Sequence, residues 1–260
     1  QNLTTDQIKI TASTEAEGTG GAITAKTDTL TLDNNSQLTV KADSSSSGDA
    51  GDINIETGSL TVAKGTEISA QTDGSGKGGD INISGPEKLN ITGVGQISAS
   101  TSGAGQGGNI DISAPETIDI TGDGEISVKT TGAGNAGNIS IETQNLTTDQ
   151  IKITASTEAN SSGDAGNIEI KTGSLTVAKG TEISAQTEGT GKGGDINISP
   201  KETTLNITGN GEISASTSGA GQGGNIELNA TEKLNITGDG QISARTSGAG
   251  NAGNLSLIHI

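Results

Sequence analysis

The segment Gly79–Gly107, GDINISGPEKLNITGVGQISASTSGAGQG, decides the fold. Ile81 and Ile83 alternate with Asn82, Leu89 and Ile91 flank Asn90, and Ile97, Ala99 and Thr101 alternate with Ser98 and Ser100. Period-two alternation over short β-branched runs, bounded by Gly, signals strands buried on one side. The Gly, Asn and Asp residues between the runs suit turns that require a positive φ. No segment carries an i, i+3, i+4 apolar stripe, so no helix is expected.

The opening phrase of this segment, Gly-(Asp/Asn)-aliphatic-x-aliphatic, recurs along the whole chain. It stands at Gly51, Gly79, Gly108, Gly137, Gly166, Gly194, Gly224 and Gly253, with a diverged copy, GAITA, at Gly21. Successive copies lie 28 to 30 residues apart, so nine units of about 29 residues fill the 260-residue chain. A longer duplication lies over this pattern. QNLTTDQIKITASTEA occurs at Gln1–Ala16 and again at Gln144–Ala159, an offset of 143, whereas Ser47–Ser84 matches Ser162–Ser199 at an offset of 115. The two offsets differ by one unit, roughly Glu17–Ser46. A stacked modular array tolerates gain of a whole unit; a closed globule does not.

Three short strands per 29-residue unit read as one coil of an all-β, single-stranded parallel β-helix (β-solenoid). The right-handed form is expected, because parallel crossovers are right-handed. A left-handed hexapeptide helix would need a period of roughly 18, which is absent. Nine coils at the inter-strand spacing give a rod of about 43 Å. Like residues then stack on like. Leu38, Ile68, Ile97, Ile126, Ile153, Ile183, Ile213 and Ile242 form one inward ladder of the third strand, and Val40, Ala70, Ala99, Val128, Ala155, Ala185, Ala215 and Ala244 form a second. Ile53, Ile81, Ile110, Ile139, Ile168, Ile196 and Ile226 form the ladder of the first strand. Pro86, Pro115 and Pro200 all fall just after the first strand, where no ladder donor is needed. Residues 1–260 are read as a single solenoid with no separate globular domain.

Composition agrees with a thin-cored rod and excludes several functions. Only 28% of residues are hydrophobic, and Cys, Met, Phe, Tyr and Trp are absent. Without Cys there is no disulfide, thiolate metal site or cysteine nucleophile. Without aromatics there is no stacking platform for bases or sugars. A net charge of −17, with no basic patch, opposes nucleic acid. No apolar run approaches the roughly 18 residues of a membrane span, so no membrane insertion is expected. Gln1 opens inside the pattern and no Met occurs, so the chain reads as an internal piece of a longer protein.

Five features invite a functional reading. The residue after the motif Gly is Asp52, Asp80, Asn109, Asn138, Asn167, Asp195, Asn225 or Asn254. The preferred reading is a stacked turn ladder of side-chain hydrogen bonds. The alternative is a cation site, with calcium relieving the stacked charges of Asp52 and Asp80; no other cofactor is expected. The Gly-rich loops, such as Ser102–Gly108 and Thr131–Gly137, lack a following helix and a Walker lysine, and read as flexible turns protruding from each coil. The outward row Thr39, Ser69, Ser98, Ser127, Thr154, Ser184, Ser214 and Ser243 reads as a solvated face with hydroxyl ladders, with ice binding as the alternative. Acidic residues recur singly from coil to coil, without the paired carboxylates of a glycosidase. The single His259 lies in the terminal LSLIHI, where Ile258 breaks the repeat. An adapter sequence used in sequencing libraries encodes the same six residues, so 258–260 read as a non-native tail on a metagenomic fragment, and His259 is no catalytic candidate.

The phrases GDAGDINIETGSLTVAKGTEISAQT (Gly48–Thr72) and GNAGNISIETQNLT (Gly134–Thr147) resemble the repetitive exoproteins of filamentous-haemagglutinin type, in particular the large repeat-rich versions of cyanobacteria. The resemblance covers essentially all nine units. It implies an extended right-handed β-helix, exported through an outer-membrane two-partner transporter and displayed or released as an adhesin. The family's secretion domain, with its NPNG-type motifs, is not among these residues, so the export route is implied by the resemblance only. The expected function is therefore a structural and adhesive stalk, secreted or at the cell surface, and not an enzyme. Its receptor, glycan or protein, is left open. The runners-up are a carbohydrate-active β-helix enzyme and an ice-binding solenoid. Exposed strand edges at both ends lead us to expect end-to-end association of the 260-residue chain.

Overall fold

The computed structural model describes residues 1–15, 17–45, 47–230 and 233–259; for 200–203, 230 and 259 only the backbone is described. Among the described residues every regular element is a strand. One sheet gathers the third run of each unit: β2 (Lys9–Thr14), β4 (Gln37–Ala42), β6 (Glu67–Thr72), β9 (Gln96–Thr101), β11 (Glu125–Thr130), β13 (Lys152–Thr157), β15 (Glu182–Thr187), β17 (Glu212–Thr217) and β20 (Gln241–Thr246). These nine strands pair in that order, all in parallel, as in the pairings of β2 with β4 and β17 with β20. The other sheet gathers the first and second runs: β1 (Asn2–Asp6), β3 (Ile23–Asp33), β5 (Ile53–Ala63), β7 (Ile81–Ser84), β8 (Lys88–Thr92), β10 (Ile110–Thr121), β12 (Ile139–Asp149), β14 (Ile168–Val177), β16 (Ile196–Ile207), β18 (Ile226–Ala230), β19 (Lys233–Ile236) and β21 (Leu255–His259).

The fold is a parallel β-solenoid of about nine coils with the expected unit length. Each complete coil carries the three expected strand runs. The first and second runs are continuous in β3, β5, β10, β12, β14 and β16. They stay hydrogen-bonded around the bend, and the register slips there. In the β10–β12 pair, Ala114 faces Thr143 but Thr117 faces Asn145, and the slip contains Pro115. Pro86 falls between β7 and β8, so that coil alone among those with a Pro in the bend is divided there. A Pro withholds its donor at a place where the ladder is already irregular.

The bore is filled as the ladders require. Parallel register places Leu38, Ile68, Ile97, Ile126, Ile153, Ile183, Ile213 and Ile242 one above another. The first-strand ladder extends at both ends, to Ile23 and to Leu255. Nearly all of these aliphatics are inaccessible to solvent, from Leu30 to Leu228. Each buried one contributes about 1.5–3 kcal/mol before chain entropy is set against it. A bore this narrow closes with Ile, Leu, Val and Ala, which is why an ordered core forms with no aromatic residue. Hydroxyls also enter the bore, and Thr148 takes a ladder place held by Val62, Ile91 and Ile120 elsewhere. Its buried Oγ1 donates to the Thr176 carbonyl at 2.9 Å. At the end coils the same ladders are half-open, with Ile8, Ile10, Leu255 and Leu257 exposed. Leu255–His259 continues the register as β21, in which His259 stands opposite Ala230; Ile260 of the proposed tail lies outside the described residues.

The turns carry the repeat's Gly and Asn chemistry. Between the second and third runs the chain enters the left-handed region at Asn34, Asn35, Lys64 and Gln150, and at Gly65, Gly93, Gly122, Gly180, Gly209 and Gly238. At the other corner the Gly-rich loops are not loose protrusions. Gly76, Gly105 and Gly134 stack one on the next, and a Cβ on Gly105 would overlap the carbonyl oxygen of Gly76. These glycines are required because successive backbones touch, which corrects their reading as flexible, protruding turns.

Candidate functional site

Two surfaces carry the polar groups singled out in the sequence. The first is the corner where each coil enters its first strand. There the Asx residues form an unbroken spine. The Asp80 N–H donates to Asp52 Oδ1 at 2.9 Å, and the Asn109 N–H to Asp80 Oδ1 at 2.7 Å. The pattern continues from Asn138 to Asn109, Asn167 to Asn138, Asp195 to Asn167, Asn225 to Asp195 and Asn254 to Asn225, at 2.7–2.9 Å. Where the upper residue is Asn, its amide can add a second bond to the same oxygen: 3.1 Å from Asn109, 3.2 Å from Asn138 and 3.0 Å from Asn225. The carbonyl of each Asx accepts the N–H of the Ile in the coil below, as Asn109 does from Ile81 at 2.9 Å. Each Asx is thereby tied to the preceding coil through backbone and side chain together.

The candidate cation ligands Asp52 and Asp80 sit within this spine, each accepting at Oδ1 from the N–H above it. Among the described residues, no group of three or more His, Cys, Asp or Glu is placed to hold a metal ion. Like charge is nevertheless felt nearby. The Asp111 carboxyl is pushed above the usual carboxylate range, first by desolvation and then by the Asp80 charge.

A second spine, missed in the sequence, runs three residues before the first. The Lys77 N–H donates to Asp49 Oδ1, Asp164 to Asn135 Oδ1 and Lys192 to Asp164 Oδ1, at 2.7–2.8 Å. Only the accepting residue must be Asx; the donor is a backbone N–H that any non-proline residue supplies. Lys and Gln therefore alternate with Asp and Asn in this row, and no uniform column shows in the sequence.

The second surface is the outer face of the nine-stranded sheet. The outward hydroxyls stack in the expected register, Ser69 on Ser98 and Thr154 on Ser184. They do not form a continuous hydroxyl ladder. Ser98 donates to Ser69 at 3.5 Å, Ser214 turns along its own strand to Ser216, and the Ser184 hydroxyl is buried with no partner. Ion pairs stitch coils at the margins. Lys41 reaches Asp43 at 2.9 Å and Asp73 in the next coil at 3.1 Å. Burial alone would raise the Asp73 carboxyl, but hydrogen bonds from Lys41 and Ser102, with the Lys41 charge, outweigh it and hold it below the ordinary value. The Asp43 hydrogen bond, then that of Asp73, raises Lys41.

Several hollows open on the rod, among them one on each sheet. One, of about 530 Å³, lies beside Lys26, Asp28 and Glu56. Its charges are already paired: Lys26 with Glu56 at 2.9 Å, and Asp28 with the Gln1 amino group. The other, of about 360 Å³, is a trough across β11, β13 and β15. It forms where the repeat varies. Lys152 stands in register between Glu125 and Glu182, and Glu158, Ala159 and Asn160 wall one side. Comparison of the chain with family models, characterised proteins and solved structures finds no match to any of them.

Proposed function

We propose that the chain is a non-catalytic, adhesive stalk segment of a secreted or surface-displayed bacterial exoprotein of filamentous-haemagglutinin type, exported by two-partner secretion. The observation that supports this reading is the uninterrupted coil-to-coil register of the bore and the Asx spine. A rod built this way holds whatever stands at its tip away from a surface, and its length changes by whole units. Nearest-neighbour coils can also form progressively from one end, which suits passage of an unfolded chain through a narrow transporter. The absence of Cys and the net charge of −17 suit the same route, since nothing cross-links in transit and the rod stays soluble.

The test is to join the chain behind a two-partner secretion domain and co-express the cognate outer-membrane transporter. The reading expects the chain to reach the cell surface, to become accessible to added protease, and to increase adherence of the displaying cells. Retention in the periplasm, or display without any gain in adherence, would overturn it. We further propose that the isolated 260-residue chain associates end to end through the open edges that expose Ile8, Ile10, Leu255 and Leu257. Sedimentation that reports a monomer at every concentration would contradict this.

A further inference from the structure

We propose that the trough across β11, β13 and β15 is a binding site for a neutral oligosaccharide, an inference that rests on the adhesive reading and gives it a place on the molecule. At the floor of the trough lies Ser184, 1% exposed, whose hydroxyl has no hydrogen-bond partner. Register points this side chain outward, between the inward Ile183 and Ala185. A buried hydroxyl without a partner is costly, and it marks a position where an incoming donor or acceptor gains the full bond. Above it, Gln186 Nε2 reaches Glu182 Oε1 at 3.5 Å, the outer limit of a hydrogen bond and one easily exchanged for a better partner.

The molecule contains its own control. β6 has the same sequence as β15, EISAQT, but its Ser69 accepts a hydrogen bond from Ser98. The orphaned hydroxyl is therefore not a property of the strand. In the coil above β15, Ser214 turns to Ser216, whereas in the coil above β6, Ser98 turns to Ser69. Lys152 enters a row held by Glu or Gln in every other coil but the first, where it is Lys9, and its ammonium forms no ion pair among the described residues although Glu125 and Glu182 flank it. Ser156, short between Lys129 and Gln186, leaves the depth.

The chemistry of the trough selects the ligand. Lys152 and the Gln186 amide donate, Glu182 and Glu188 accept, and Ser184 does both. A sugar's adjacent hydroxyls, each both donor and acceptor, answer that set through hydrogen bonds alone, without the aromatic stacking this chain lacks. Carboxylates outnumber ammonium groups along the walls, so a phosphate, sulfate or uronate ligand is repelled. Ala159 alone among the lining residues is apolar, so a hydrophobic ligand gains little. Weak single-site affinity would be multiplied when many rods are displayed together.

The experiment titrates the full 260-residue chain with cellotetraose, maltotetraose and mannotetraose, and with tetragalacturonate as the anionic counterpart, by calorimetry and saturation-transfer NMR. At least one neutral tetrasaccharide should bind, with Kd of roughly millimolar order. Glu182→Gln and Lys152→Ala should each weaken it by about tenfold. Ser184→Ala should weaken binding while leaving the melting temperature unchanged or higher, which a purely structural role would not do. Glu67→Gln, in the identical strand, should change nothing. Absence of binding by all three neutral probes, binding of tetragalacturonate alone, or equal weakening by Glu67→Gln would overturn the proposal. If the trough fails but cells displaying the chain still adhere, the site falls and the adhesive reading stands; if the sugar binds but adherence is absent, the reverse holds.

Discussion

Single residues in this molecule act across coils, because each stands directly on its counterpart. Asn109 shows the consequence. Its N–H and amide both donate to Asp80, and its own Oδ1 accepts from Asn138. Asn109→Asp keeps the acceptor but removes the amide donor and places a carboxylate on that of Asp80. The expected loss is about 1–3 kcal/mol at neutral pH. Denaturant melts at pH 7 check this, and a variant as stable as the parent would contradict it. Gly105 shows the same principle through sterics. Gly105→Ala should cost more than about 3 kcal/mol, because the methyl group collides with the Gly76 carbonyl and the coils must separate. Gly18→Ala, with open space around the added Cβ, should be close to neutral in the same melt.

At the scale of the strand, stability depends on what faces inward and what pairs at the margin. Thr130 lies in the bore at the end of β11, with its hydroxyl buried and unpaired. Thr130→Val replaces that hydroxyl with a methyl group of similar shape and should stabilise by about 1 kcal/mol in chemical denaturation. The Lys41 bridge between β4 and the turn after β6 gives a pH-dependent term. Asp73 is held below its ordinary value in the folded chain, so its contribution is present above about pH 4 and is lost as pH falls through the depressed value. Lys41 is raised, so its share is present below about pH 10 and fades as pH rises beyond that. Asp73→Asn should therefore melt earlier than the parent between these limits and converge with it in acid. Both groups are part-exposed, so the gap stays within about 1 kcal/mol. A gap that persists unchanged at pH 2 would sink this account.

The elements themselves were largely legible in the sequence. Inward Ile and Ala columns and the Asx column show because a ladder position demands one residue type from coil to coil. Three features were not legible, each for a physical reason. The second Asx spine is hidden because its donors are backbone groups that carry no side-chain signature. The Gly-rich corners look like loose loops because close backbone contact and free space both permit Gly, and composition does not separate them. The trough at Lys152, Ser156 and Glu158 looks like drift on outer positions, since a site made by departure from a repeat resembles noise until the coils are stacked.

At the scale of the whole molecule, the central claim is that 29 residues advance the chain by one inter-strand spacing, again and again. The functional reading depends on this, because a stalk is useful only if coils translate into reach. The absence of Cys makes the claim directly measurable, since pairs of introduced cysteines are the only thiols available for spin labels. The first outward position of the third strand offers equivalent sites: Lys9 in β2, Gln96 in β9 and Gln241 in β20. Lys9 and Gln241 are eight pairings apart in the sheet, and Gln96 and Gln241 are five. Pulsed electron–electron resonance on Lys9→Cys with Gln241→Cys should give a narrow distribution centred near about 38 Å, and Gln96→Cys with Gln241→Cys near about 24 Å. Distances in the ratio of eight to five are the predicted result. Broad distributions, or two distances that do not scale with the number of coils between the labels, would contradict the solenoid and the stalk built on it.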